Sequence, residues 1–256
     1  MMEKYNKKRG IPAHEEQYKK ALQYAIDITR KNLDVFTDHY PHVSTKNVYN
    51  GEENELWTSS FYPGMCYLAY ENTGDKEFLK HVDDYLDSFD ERLRLRKHIS
   101  HDLGFLYTLS CVANVKLVGD ERAKEIAMHA AEMLTERYNE SAVDRLNQMK
   151  GTKYSLEDVE AWGKMGIGYP DVKIIIDTML NLPLLYWSSE EGGKNWQIAE
   201  NHAMTAAGTL IRPDYSSYHT YLMNPETGEA VCGKTHQGFR DESTWARGQG
   251  WAVYGY

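Results

Sequence analysis

The sequence predicts an all-α fold of stacked helical hairpins, and three observations carry that prediction. Apolar residues recur at helical spacing along almost the whole of the 256-residue chain. Gly-Asp turns punctuate the pattern at Gly74-Asp75 and again 45 residues later at Gly119-Asp120. Long connections alternate with these tight turns, as they do when hairpins stack side by side with their long loops at one end.

In chain order, Ala21, Leu22, Ala25, Ile26 and Ile28 mark a first helix, and a second covers roughly 58–73. From Lys76 onward, Phe78, Leu79, Val82, Tyr85, Leu86 and Phe89 fall on one face of a third. Further helices cover roughly 103–118, 121–138, 172–189, 195–211 and 243 to the end. That makes about eight helices, with no convincing set of strands. At the tight turns, glycine suits the left-handed position that ends one helix, and aspartate suits the N-cap of the next. Ser188 through Asn195, with Gly192-Gly193, reads as a looser third copy. The connections at about 34–57, 139–171 and 213–242 are long. They imply an α/α toroid whose inner helices begin at a common mouth, where loops on a rigid scaffold carry the site.

Composition narrows the function classes. Hydrophobic residues make up 41% and charged residues 26%, values ordinary for a globular protein. A net charge of −9 disfavours nucleic acid and anionic membrane as partners, because both reward clustered Lys and Arg. Three cysteines, Cys66, Cys111 and Cys232, are too few and too scattered for a disulfide framework. The polar start MMEKYNKKRG leads into no apolar stretch, and no run approaches the ~18 apolar residues of a membrane span. A cytoplasmic location is therefore expected. Nineteen Tyr and six Trp stand against six Phe. Flat rings with a polar handle suit sugar stacking and half-buried structural positions alike.

Two acidic residues stand in unusual neighbourhoods. Asp177 interrupts the apolar run from Ile174 to Leu180, read here as lying shortly inside a helix. A carboxylate in such a stripe is costly to bury ionised, which makes it a candidate acid or base. Asp102, in His101-Asp102-Leu103-Gly104-Phe105, opens another helix and is also a candidate N-cap. Trp57 ends the first long connection and Trp162 lies in the second. His219, His236 and Gln237 lie in the third, with Arg247 and Trp251 in the helix after it. No zinc-ligand spacing and no glycine-rich phosphate loop is present, so neither metal nor cofactor is expected.

Four stretches, in this order and spacing, carry a family resemblance. They are Leu56 to Gly64, His101 to Phe105, Ile175 to Leu185, and Ser243 to Trp251. From about residue 15 the chain resembles the unsaturated glucuronyl hydrolases of glycoside hydrolase family 88. The resemblance implies an (α/α)6 barrel, here a single domain over 1–256 with about eight of twelve helices and without its C-terminal third. It implies removal of a 4,5-unsaturated uronic acid from the non-reducing end of lyase-generated oligosaccharides, by hydration of the C4=C5 vinyl ether. By motif, Asp177 would be the proton donor and then the base toward water, with Asp102 the second carboxylate. His219, Gln237 and Arg247 would bind the sugar through polar contacts. Phe61 and Trp162 would stack on it, and Trp57 and Trp251 would form pocket wall. An unsaturated rhamnogalacturonyl hydrolase, or a toroid that binds oligosaccharide without catalysis, are the alternatives.

Overall fold

The computed structural model describes residues 14–139, 173–223 and 230–256, and most of the expected helices are found within them. Helix α1 (Glu15–Asn32) has Glu15 and Glu16 in its first turn and Arg30 and Lys31 in its last, charges that complement the helix dipole. Helix α2 (Phe61–Thr73) ends at Gly74, whose φ of 69° is the left-handed conformation that closes a helix. The Asp75 carboxylate then accepts the Glu77 N–H at 3.0 Å and opens a 3-10 turn, Lys76–Leu79. Helix α3 (Val82–Arg94) follows, so the single helix expected from Lys76 is broken into two pieces. Two contacts to the first hairpin hold the break. Arg30 lies 4.5 Å from the Phe78 ring, and the buried His81 ring bonds the Leu33 carbonyl at 2.8 Å.

Helix α4 (Leu103–Tyr107), a π turn (Thr108–Val112) and helix α5 (Ala113–Leu117) run on without a gap. All five residues of α4 are buried, as expected of a helix enclosed on every side. Gly119 at φ 80° ends this rod, and the Asp120 carboxylate accepts the Arg122 N–H at 2.9 Å to start helix α6 (Glu121–Asn139). The looser third turn joins α7 (Thr178–Glu190) to α8 (Trp196–Leu210). Asn195 does not cap α8; its Nδ2 donates to the Ser188 hydroxyl at 3.0 Å and ties the loop shut. Helix α9 (Ala246–Gly255) comes last.

The expectation of an all-α chain without strands is corrected by two small antiparallel sheets in the long connections. Strands β1 (Tyr40–Thr45) and β2 (Val48–Glu52) form a hairpin in which Thr45 pairs with Val48. The two residues between them, Lys46 and Asn47, take φ values of 52° and 63°, as a tight two-residue hairpin turn requires. Strands β3 (Lys173–Ile175), β4 (Thr220–Met223) and β5 (Ala230–Lys234) form a second sheet in that order. Ile175 pairs with Thr220, and the Ile176 N–H donates to the His219 carbonyl at 3.0 Å. Those groups are therefore taken by the sheet, and the helix expected from residue 172 begins only at Thr178. Asp177 accordingly lies at the junction of strand and helix, not inside the helix.

The core lies between α2, α3, α4, α6 and α7. Much of the tyrosine excess is structural. Tyr62, Tyr85 and Tyr107 are buried, and their hydroxyls donate to the carbonyls of Thr29 (3.1 Å), Phe36 (2.9 Å) and Phe89 (2.9 Å). Among the described residues, no helix is long and apolar enough to cross a membrane.

Candidate active site

Two helix starts supply the carboxylates. Asp102 occupies the N-cap position of α4, yet its side chain makes no capping bond. The Ser100 hydroxyl donates to Asp102 Oδ2 at 2.9 Å, and His101 Nε2 lies 3.3 Å from Oδ1. Asp102 thus stands where an N-cap was a candidate, but its carboxylate makes no bond to the helix backbone.

Asp177 stands immediately before α7. Its Oδ2 is buried and has no hydrogen-bond partner among the described residues. Burial raises the carboxyl above its ordinary pKa, and the nearby Asp102 charge adds to the rise, while His101 and Arg247 act against it. Lys173 would sit one turn before Asp177 on a helix. On strand β3 its charge acts instead on His219 and His236.

His219 precedes β4 and is only 2% exposed. Its Nδ1 accepts the His236 N–H at 3.1 Å, while Nε2 is buried without a partner among the described residues. The Trp245 ring lies against it, with centroids 4.2 Å apart. Burial pushes the imidazole pKa down to about 4, with His236, Arg247 and Lys173 contributing, so the ring is neutral near pH 7.

Arg247 is exposed and sits over Trp245 (4.3 Å) and Trp57 (5.4 Å), with Nη2 donating to Gln237 Oε1 at 2.5 Å. The carboxylates closest in sequence have other partners. Asp241 pairs with Lys234 at 3.0 Å, and Glu242 faces Arg240 at 3.8 Å. The guanidinium is therefore held in place by a neutral amide and two indole faces.

Aromatic rings complete the wall. Phe105, 1% exposed, is the hub: Trp57 stands 5.5 Å from it, Trp251 5.6 Å and Phe61 6.4 Å. Gly248 makes this assembly possible. A Cβ there would stand 2.9 Å from the Ile176 side chain and 2.7 Å from Trp245, so only glycine lets α9 lie beside the residue preceding Asp177. The Trp251 indole N–H is also buried without a partner among the described residues.

The structure thus brings together Trp57, Phe61, Asp102, Asp177, His219, Gln237, Arg247 and Trp251. Trp162 lies outside the described residues. Phe105, Trp245 and His101 were not singled out individually, although the stretches His101–Phe105 and Ser243–Trp251 contain them; only the fold gives each its neighbours. Between α7, α8 and α9 lies a separate groove of about 470 Å³, lined by Met179, Leu182, Pro183 and Tyr254, with neither carboxylate on its wall. Chemically, the assembled site offers a partly desolvated carboxyl group, an accessible cation, two unused N–H or ring-nitrogen positions and apolar ring faces, a set suited to an anionic sugar.

The family model for Glycosyl Hydrolase Family 88 matches residues 25–256. The chain belongs to this family. It is 40% identical over 243 residues to the unsaturated glucuronyl hydrolase of Bacillus sp. (strain GL1), a match covering 93% of this chain and 61% of that protein. It is 38% identical over 247 residues to the unsaturated chondroitin disaccharide hydrolase of Streptococcus agalactiae, covering 93% and 57%. The crystal structure of the Bacillus sp. GL1 hydrolase, described as responsible for glycosaminoglycan degradation, matches with a TM-score of 0.76 at 40% identity. That match covers 90% of this chain and 59% of the other. The family-88 chain therefore spans about three fifths of the length of these relatives, and its mostly helical fold matches that of the glucuronyl hydrolase structure.

Proposed function

We propose that this family-88 protein removes a 4,5-unsaturated uronic acid from the non-reducing end of oligosaccharides released by polysaccharide lyases. The observation that carries the reading is Asp177 Oδ2, buried, without a hydrogen-bond partner among the described residues, and within the field of both Asp102 and Arg247. A carboxyl group held above its ordinary pKa remains partly protonated where most carboxylates are ionised, as a general acid must.

The proposed chemistry is the hydration of a vinyl ether. Asp177 gives its proton to C4, the π electrons of C4=C5 form the new C–H bond, and the ring oxygen stabilises the positive charge left at C5. Water adds to C5 and returns a proton to the Asp177 carboxylate. The hemiketal then opens to a ketone, leaving at C1 a hemiacetal that releases the remaining saccharide. One carboxyl group serves twice, unlike the paired carboxylates of ordinary glycosidases.

The other residues bind and orient. Arg247, preset by Gln237, meets the uronate carboxylate, which a protein of net charge −9 must recognise locally. His219 and Trp251 offer their unused nitrogens to the sugar, and Asp102 accepts from its hydroxyls. Trp57 and Phe61 supply apolar faces, and the stacking role of Trp162 rests on the family motif alone. We read the helices as members of an (α/α)6 barrel forming one domain, working in the cytoplasm, where the buried thiols of Cys66 and Cys111 would stay reduced. Since relatives act on unsaturated chondroitin disaccharide or in glycosaminoglycan degradation, an unsaturated glycosaminoglycan disaccharide is the proposed substrate.

The test is to incubate the protein with an unsaturated chondroitin disaccharide and follow the ultraviolet absorbance of the alkene. Loss of absorbance with release of the second sugar is expected. Turnover of an unsaturated rhamnogalacturonan disaccharide alone, or calorimetric binding with the absorbance intact, would overturn the reading.

A further inference from the structure

The N-terminal turn of α4 leaves backbone donors that need acceptors, and its N-cap residue, Asp102, supplies none. The acceptor comes from another helix. Asn181, 4% exposed in the first turns of α7, takes the Phe105 N–H on its Oδ1 at 3.1 Å. Its Nδ2 donates to the Asp177 carbonyl at 3.3 Å. One buried amide thus bonds both segments that carry the carboxylates. The two helices meet backbone to backbone at this point. A Cβ on Gly104 would stand 2.0 Å from Asn181 Cα and 2.6 Å from its Oδ1, which leaves room only for glycine.

We infer that Asn181 is a positioning residue: it caps α4 from outside, so that the Asp102 carboxylate is released from capping and held at a fixed separation from Asp177. An aspartate that capped its own helix would spend its oxygens on backbone N–H groups. Here the Ser100 hydroxyl and His101 orient the carboxylate instead, and its charge acts on Asp177. Asn181 touches neither carboxylate. Its effect is transmitted through Phe105 N–H and Asp177 C=O, that is, through the backbone at the two helix starts.

The consequence for catalysis rests on the proposed alkene hydration, whereas the clamp itself is measurable without turnover. Amide hydrogen exchange at Phe105 and an NMR titration of the Asp177 carboxyl report on it directly. In Asn181→Ala, Phe105 exchange should accelerate about 10- to 100-fold, the scale on which an unsatisfied buried donor favours local opening. The Asp177 titration should move to lower pH as Asp102 drifts away, kcat should fall, and KM should rise as the Asp102 contact to the sugar weakens. Asn114→Ala is the control, since Asn114 is an equally buried amide on α5 that bonds the Tyr67 hydroxyl at 3.0 Å. It should lower stability without moving the Asp177 titration. Asn181→Asp keeps the acceptor and should preserve Phe105 protection, which decides the matter if the alanine variant does not fold. Unchanged Phe105 exchange in folded Asn181→Ala, the same titration shift in Asn114→Ala, or lost protection in Asn181→Asp would each overturn the inference. If the native protein hydrates no alkene, the functional reading fails, and the clamp is still judged on exchange and titration.

Discussion

His236 donates its backbone N–H to Nδ1 of His219 at 3.1 Å, and this bond selects the tautomer of a buried ring. Nδ1 is then the acceptor, so the proton sits on Nε2, the nitrogen left without a partner among the described residues. Nitrogen NMR should therefore show His219 as the neutral Nε2–H form throughout the range from pH 5 to 8, because its pKa is pushed down to about 4. In the unfolded chain the same ring titrates at about 6.5 and binds a proton the folded state refuses. This residue should thus withdraw stability as pH falls from about 6.5 toward 4 and have no such effect above neutrality. A His219 imidazolium in the folded protein at pH 6 would contradict the assignment.

Arg247 should separate binding from chemistry. A charge-assisted bond to a carboxylate is worth about 1.5–3 kcal/mol, so Arg247→Ala should raise KM about 10- to 100-fold with kcat much less affected. Gln237→Ala, which removes only the bond that presets the guanidinium, should show a smaller effect in the same direction. Steady-state kinetics on folded variants decides. An unchanged KM in Arg247→Ala would reduce that residue to a spacer between Trp57 and Trp245.

Much of this arrangement was legible in the sequence, for reasons that differ by residue. Gly74-Asp75 and Gly119-Asp120 announced helix ends because glycine and aspartate perform those jobs locally, within a few residues. Ile174-Ile175-Ile176 misled because a short apolar run carries no period; only pairing with Thr220 and Tyr221 makes it a strand. The β1–β2 hairpin hid behind Lys46-Asn47, a turn without the expected glycine. Asp177 and Asp102 stood out by neighbourhood and motif, but Asn181 did not. A buried amide inside an apolar helix acquires its meaning from Phe105, which is remote in sequence and adjacent only in the fold.

Arg92 illustrates the same point for stability. It is 3% exposed, and its guanidinium donates to the carbonyls of Asn54, Glu55, Leu56 and His98. It thereby fastens the connection leading to Trp57 against the one leading to His101 and Asp102. Arg92→Met should leave those carbonyls unsatisfied and cost about 3 kcal/mol or more in urea unfolding. A loss below about 1 kcal/mol, the scale of a surface substitution, would show that other contacts hold these loops.

Asp102 should act on Asp177 through charge. The proton donor must be neutral, so kcat falls as pH rises through the raised pKa of Asp177, and Asp102 contributes to that rise. Asp102→Asn removes the neighbouring charge and should move this basic limb to lower pH, together with a loss of sugar binding. A limb that stays in place would mean that burial alone sets the acidity of Asp177.

Replacing the proton donor itself bears most directly on the account. Asp177→Asn keeps the shape and polarity of the side chain but can neither give a proton to C4 nor take one from water. General acid–base groups supply about 10²- to 10⁴-fold, and a residue with both roles should reach the top of that range. Followed by alkene absorbance, the variant should fold and bind the disaccharide with kcat down about 10⁴-fold and the basic limb of the pH profile gone. A folded Asp177→Asn protein that kept more than about a hundredth of native kcat, the least such a group supplies, would place the proton on another residue.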